Sequence, residues 1–386
     1  MNRRTGLRLM LAFLSTIVAP QESGAQTAVL LRPPAIESRR DFERIVAVRE
    51  LRDGSLLVAD KGQERLLSLT SFEHAAVNIG RIGSGPNEYR AVGGLWALGG
   101  DSSLFVDGYS GRWLILNGAR IVGQVSESRP AYLLLRARSL GASASGEVVG
   151  ARPTRHARGV PRTFDTADSL AILRVSVTSD RVDTIASIAG HGGRGFTRIP
   201  ARDRLPEWLI LYNPASTAEQ ALLFPDGWLA IVRRSPYRVD WRRADGTWLE
   251  GSALPEPKRP LTPDEQCAAI SRLLPVTRLR CDPTIFPGWP ADVSPVRSRL
   301  ANMEPTVLAL PMGRIAIART PALNDARAAY DVVDRRSTRV GTIVLGIGEV
   351  LVGSSQRHAY VTHTDEDGLQ SLRRYDWPRE WSETPR

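Results

Sequence analysis

Asp53-Gly-Ser-Leu-Leu-Val-Ala-Asp60 is a tight turn followed by an apolar strand, and the chain repeats that unit. The equivalents are Asp101-Ser-Ser-Leu-Phe-Val-Asp107, Ser145-Gly-Glu-Val-Val-Gly150, Asp226-Gly-Trp-Leu-Ala-Ile-Val232, Met312-Gly-Arg-Ile-Ala-Ile-Ala318 and Arg357-His-Ala-Tyr-Val-Thr362. A turn-plus-strand unit recurring every forty to fifty residues or so marks a ring of small radial sheets. Six units predict an all-β six-bladed β-propeller that uses nearly the whole chain, with one small helical insertion.

Working outward from Asp53-Gly54, a two-residue hairpin signal, the first blade spans Ile45 to Asn78. Its strands are Ile45–Val48, Leu56–Ala59, Leu66–Leu69 and Val77–Ile79. The second repeats this over Gly94 to Val125. The third uses Leu133–Leu140, Glu147–Val149, Ala171–Val177 and Asp183–Ile188, with a loop from Ala151 to Asp168 interrupting it. The fourth runs from Gln220 to Leu249, the fifth from Thr306 to Val340, and the sixth from Thr342 to Trp377.

Between Pro255 and Leu300 the composition turns Pro-rich and strand periodicity stops. Thr262-Pro-Asp-Glu265 is a capping-box helix start, and Pro275 sets its end. This insertion (255–300) is expected across one end of the ring. The sixth blade has no outer strand of its own after Tyr375, and an open sheet edge invites aggregation. Ala28-Val-Leu-Leu31 is a strand without a blade, so it is expected to complete the sixth.

The first 25 residues have the form of an export signal. Arg3, Arg4 and Arg8 precede the apolar run Leu9–Ala19, which is too short to span a bilayer. Ser23-Gly24-Ala25 fits a cut before Gln26, which leaves 26–386 as the ring. A periplasmic or secreted location follows. In an oxidising compartment the two cysteines, Cys267 and Cys281, are expected to form a disulfide. Closing that loop stabilises by roughly 3 kcal/mol in the chain-entropy treatment.

The net charge is +10, but the arginines are dispersed and only Lys61 and Lys258 are lysines. Scattered charge without interleaved aromatics argues against a nucleic-acid partner. No second stretch is long enough for a membrane span, and a monomer is expected.

Two further patterns carry a resemblance. Asp60 is followed five residues later by Arg65 and Leu66-Leu-Ser-Leu69, and Asp107 by Arg112 and Trp113-Leu-Ile-Leu116. Gly80-Arg-Ile-Gly-Ser-Gly-Pro-Asn-Glu-Tyr89 then joins the first two blades. Together these resemble the NHL-type repeat and Gly-rich linker of exported bacterial six-bladed β-propeller proteins, over residues 45 to 125. Asn87 stands where the linker has glycine, and tolerates the left-handed conformation a turn needs. The resemblance supports the fold and leaves activity open, because one fold hosts many functions.

Both Asp/Arg pairs read most simply as turn closures. The candidate ligand site is the mouth of the ring. It comprises Arg81, Asn87, Glu88, Tyr89 and Arg90 from the first linker, and His191 and Arg194 from His191-Gly-Gly-Arg-Gly-Phe196. Trp208 and Trp289, in irregular segments, complete it. Exposed backbone N–H groups beside arginines could cradle an anion, but no Gly-Lys-Ser/Thr follows to make a phosphate loop.

His358 and His363, five apart on a strand, point to opposite faces and share no metal. No Gly-x-Ser-x-Gly elbow is present. The first reading is a non-catalytic binder of a small-molecule or protein ligand, without cofactor. The alternative is a lactonase- or lyase-type enzyme with a divalent metal in the channel.

Overall fold

A computed structural model describes residues 28–31, 33–38, 42–74, 76–125, 139–156, 167–176, 181–190, 196–199, 209–212, 219–256, 259–273, 292–297, 305–322, 325 and 327–382. The architecture is a six-bladed β-propeller. The first sheet holds Ile45–Glu50, Leu56–Asp60, Arg65–Leu69 and Val77–Asn78. The second holds Val92–Ala97, Ser102–Asp107, Trp113–Asn117 and Arg120–Gln124. Four-stranded sheets beginning at Ser139–Ala142 and Gln220–Leu223 follow. The fifth and sixth begin at Val307–Leu310 and Glu349–Ser354. These six first strands neighbour one another in cyclic order, so the ring closes.

Strand alternation explains the core. In Leu56–Asp60 every residue is buried. Leu56 and Val58 face the sixth sheet, while Leu57 and Ala59 face the second. A central strand thus serves two seams with its two faces. Among the described residues the apolar core divides into six clusters, one per seam between neighbouring sheets. Full burial of one such leucine stabilises by about 1.5–3 kcal/mol.

Asp53-Gly54 turns as expected, with Gly54 at φ +82° and its N–H donating to the Leu51 carbonyl at 3.0 Å. The expected helix forms at Pro263–Leu273. Its capping box is complete: Glu265 N donates to Thr262 Oγ1 at 3.2 Å, and Thr262 N donates to Glu265 Oε2 at 3.1 Å.

Three expectations need correction. The sixth sheet is completed by Ile36–Glu37, pairing Ile36 with Arg374. Ala28–Leu30 instead runs parallel to Arg339–Ile347 as a fifth strand of the fifth sheet, pairing Ala28 with Thr342. Ile36 takes the sixth edge because its side chain packs against the seam between sixth and first sheets. The fifth sheet also extends past Val340 to Ile347, and Gly348 alone (φ +76°) turns the chain into the sixth. Finally, the third sheet is longer than expected. Glu147–His156 and Ala167–Ser176 pair, so 151–156 and 167–168, read as loop, are strand, while 157–166 lie outside the described residues. Residues 133–138, read as strand, lie outside the described residues, as does the 1–25 signal.

Alternating strand direction sorts the connections between two ends of the ring. At one end lie short hairpins, at 51–55, 98–101, 143–146, 224–228, 311–313 and 355–357. At the other the chain passes from sheet to sheet: 79–91 lies there, and the described ends of the connections 125–138, 190–219 and 250–306 open there. The hairpin of Phe196–Ile199 with Leu209–Tyr212 belongs to 190–219, and the helix Pro263–Leu273 to 250–306. The helix backbone lies beside Leu209–Tyr212, so two connections from different sheets meet at that end.

Candidate functional site

The first linker is held from beneath by two charged side chains of the second sheet. Asp107, fully buried, accepts the amides of Arg90 and Ala91 at 3.1 Å each as the chain enters the inner strand. It also accepts from Tyr109 N at 3.0 Å and from Ser110 Oγ at 2.6 Å. Burial pushes the Asp107 carboxyl up, but these hydrogen bonds outweigh it and hold the group below the usual carboxylate range. Arg112 lies 3.7 Å from Asp107 and donates to the carbonyls of Ser84 (3.3 Å), Gly85 (3.0 Å) and Glu88. Asp60 repeats the aspartate's part in the first sheet, accepting from Arg44 N at 2.9 Å and Gly62 N at 3.1 Å. Both aspartates therefore do more than close their own turn, because each pins the entry to its sheet's inner strand.

The linker residues divide into inward and outward sets. Tyr89 is buried, meets Phe105 edge-on at 4.9 Å between centroids, and its hydroxyl accepts from Leu66 N at 2.7 Å. Burial raises its pKa. Glu88 accepts from Gly85 N at 2.7 Å and from Arg81 Nε at 2.6 Å. The Gly85 amide and then Arg81 hold its carboxyl below the ordinary value. Gly83 N donates to the Tyr89 carbonyl at 2.9 Å. The linker's own amides at Gly83 and Gly85 are thus engaged within it. The left-handed residue is Gly80 (φ +68°), while Asn87 keeps a negative φ, so the turn does not draw on its tolerance. Arg81, Asn87 and Arg90 are exposed.

Arg90 donates to Ser84 Oγ at 2.8 and 3.0 Å, and its guanidinium carbon lies 5.3 Å from the centre of the Tyr109 ring. Tyr109 and Ile82, both exposed, were absent from the sequence reading. The available signal was an aromatic residue placed directly in the Asp107–Arg112 turn. His191, Arg194, Trp208, Trp289 and Cys281 lie outside the described residues. Cys267 lies on the helix Pro263–Leu273.

The ring axis has an apolar occupant. Trp96, on the inner strand of the second sheet, packs against the cluster built by the fourth and fifth sheets. Reaching that cluster from the second sheet means crossing the ring. Trp96 stands one residue from the strand's last position, next to the short-hairpin end. Val46, Ala47, Val307, Ala309 and Val350 add partly buried apolar side chains from other inner strands. Among the described residues no three His, Cys, Asp or Glu side chains form a metal-holding group. No described helix is long and apolar enough to cross a membrane. His358 and His363 have separate surroundings, with His358 Nδ1 lying 2.9 Å from Glu50 Oε2 and Nε2 lying 3.6 Å from Asp376.

No protein-family model matches the chain, and no curated protein matches it. Solved structures do. A putative exported protein from Bacteroides fragilis aligns at 10% identity and TM-score 0.42, covering 92% of this chain and 94% of that one. Regucalcin, a calcium-binding protein from Agrobacterium tumefaciens, aligns at 12% identity and TM-score 0.40, over 91% and 96%. Virginiamycin B lyase from Staphylococcus aureus aligns at 7% identity and TM-score 0.42, over 89% and 98%. A binding protein and an enzyme stand side by side in that set, at likenesses too low to carry activity across. What the chain's own geometry establishes is its class: it is a six-bladed β-propeller.

Proposed function

We propose that this ring is an exported, non-catalytic binding module that recognises a ligand or protein partner at its connection end. The observation that carries the reading is the unequal investment in the two ends. Among the described residues, the connections 79–91, 190–219 and 250–306 leave and return at one end, while the other carries short hairpins. Extra chain on a rigid scaffold is where recognition residues accumulate. Trp96 supports the same reading, since an indole at the axis leaves apolar surface where metal chemistry would need converging carboxylates. Export after removal of residues 1–25, a periplasmic or secreted location, a monomeric state and a Cys267–Cys281 disulfide belong to this proposal. Mass spectrometry of the unreduced mature protein tests the cut before Gln26 and the disulfide together.

The end-on reading is tested by photo-crosslinking in the producing cell. A benzophenone side chain is placed at Tyr109, Asp264 or Asp325 on the connection end, and at Arg52, Asp245 or Arg336 on the hairpin end. Adducts confined to the first set support the reading. Adducts confined to the second set, or equal at both, remove it. Metal analysis of the purified protein tests the alternative, a lactonase- or lyase-type enzyme. A stoichiometric divalent ion there would replace the binding reading with the enzymatic one.

A further inference from the structure

The charge at the connection end of the first two sheets is sorted by depth. Among the described residues five carboxylates sit there; Glu43 is exposed, and the other four are turned to backbone amides. Asp60 takes Arg44 and Gly62, Asp107 takes Arg90 and Ala91, Glu88 takes Gly85, and Glu64 takes Val92. Arg112 is buried beneath the linker, while the guanidinium groups of Arg81 and Arg90 are left facing water. Arg90 is exposed, and its guanidinium meets no carboxylate at ion-pair distance among the described residues, only Ser84 Oγ and the Tyr109 ring. The Arg81 side chain is 82% exposed and gives its Nε to Glu88, which leaves the terminal nitrogens of its fork turned outward. Next to these cations stand two large apolar residues that folding leaves uncovered: Ile82, beside Arg81 in the chain, at 63% exposure, and Tyr109, under the Arg90 guanidinium, at 68%.

Arginine and tyrosine are the side chains that dominate binding hot spots, and an arginine stacked on an aromatic ring is already oriented for a carboxylate. We propose that Arg81, Ile82, Arg90 and Tyr109 form a docking ridge for an acidic peptide segment of a partner protein. Carboxylates of the segment meet the two guanidinium groups, and an apolar side chain between them covers Ile82 and Tyr109. Charge complementarity selects this occupant: the ridge's own acids are consumed inward, so its outward field is positive. The inference rests on the connection-end reading and names the chemistry of its partner.

The test uses the full mature chain and a fluorescent peptide with four carboxylates flanking a Leu-Phe pair. Controls are the Asn/Gln version of that peptide and vesicles of anionic lipid. Fluorescence anisotropy should show saturable binding that weakens as salt rises, and about tenfold or greater loss for the Asn/Gln peptide. Arg90→Glu and Tyr109→Ala should each weaken binding by about tenfold, with Arg90→Lys retaining part of it. Arg336→Glu at the hairpin end should leave it unchanged. All the altered side chains are exposed, and circular dichroism melts check that the ring is intact. No saturable binding, binding indifferent to Arg90→Glu and Tyr109→Ala, or preference for the vesicles would overturn the ridge. If connection-end adducts persist while the ridge variants bind normally, the ridge fails and the end-on reading stands. Loss of binding on Arg336→Glu would sink both.

Discussion

The first two sheets and the fourth and fifth sheets hold their connections with different charged side chains. In the first pair the second strand ends in aspartate, and Asp60 and Asp107 accept amides of the chain entering the sheet. In the second pair that corner carries arginine, Arg233 and Arg319, each two residues beyond a buried isoleucine. The acid now comes from the third strand: Asp240 lies opposite Ile231 and Asp331 opposite Ile317. Arg233 bonds Asp240 and Glu219 at 2.8 Å each, and Glu219 immediately precedes the inner strand. Arg319 reaches Glu256 in the outgoing connection, while Arg339 donates to the Pro255 carbonyl at 2.8 Å. The task of tying a connection to its sheet is kept and arginine is added to it: Asp240 still accepts from Gly251 N at 3.1 Å, while Arg339 holds a carbonyl. Amides call for an acceptor and carbonyls for a donor, so either arrangement satisfies buried backbone.

The strongest way to break this comparison is at Asp331, which is fully buried between Tyr237 Oη at 2.9 Å and the guanidinium groups of Arg319 and Arg339 at 3.5 Å. Asp331→Ala leaves Arg319 and the Arg339 side chain, only 5% exposed, to share one carboxylate, Glu256, and takes the acceptor from the Tyr237 hydroxyl. A loss of about 3–5 kcal/mol is expected by urea denaturation. Asp107→Ala orphans amides and uncovers one buried guanidinium rather than two, and Arg112 keeps its carbonyl partners. Its expected cost is smaller, about 2–3 kcal/mol. Equal losses would mean that the two corners are energetically the same device.

Acid sharpens the contrast. Asp107 and Glu349 both titrate below their ordinary range. At Glu349 burial pushes upward, and Tyr375, Arg373 and the Gly346 amide outweigh it. A lowered folded-state pKa binds fewer protons than the unfolded chain does. The stabilisation is therefore complete above the unfolded value, about 4. It is lost as pH falls through the lower folded values. Urea midpoints should be flat from pH 7 to about 5 and fall below about 4. Asp107→Asn should make that fall shallower, and an unchanged slope would remove Asp107 from the account. The smallest effect is expected at the rim. Arg81→Ala breaks a rim pair with Glu88, screened by water on the Arg81 side, and should leave the urea midpoint within error of the parent.

The comparison also explains what the sequence made legible. Asp-x4-Arg before an apolar run is local, so it was visible at Asp60 and Asp107. The Arg233–Asp240 and Arg319–Asp331 arrangements depend on which residues face each other across two strands, and spacing alone does not display that. The six turn-strand units were readable because Asp-Gly turns and buried alternating strands are short-range features. The placement of Ala28–Leu30 and Ile36–Glu37 was not, because two sheet edges competed for two apolar segments more than 300 positions away in the chain. At the candidate site, the linker was found from its glycines. The structural contacts inside it were not legible, since Tyr89 and Glu88 resemble ligand contacts in sequence and also bond Leu66, Gly85 and Arg81.

The amino-terminal strap has a consequence for biogenesis. Ala28 meets Thr342, and Ile36 meets Arg374, so each early segment waits for one synthesised more than 300 residues later. Pairings of such sequence separation form slowly, because a long chain must close before they are rewarded. Until then two outer edges stay open to stray pairing. The topology therefore places a demand on whatever delivers this polypeptide: residues 28–37 must be kept unengaged until residues 342–374 have arrived.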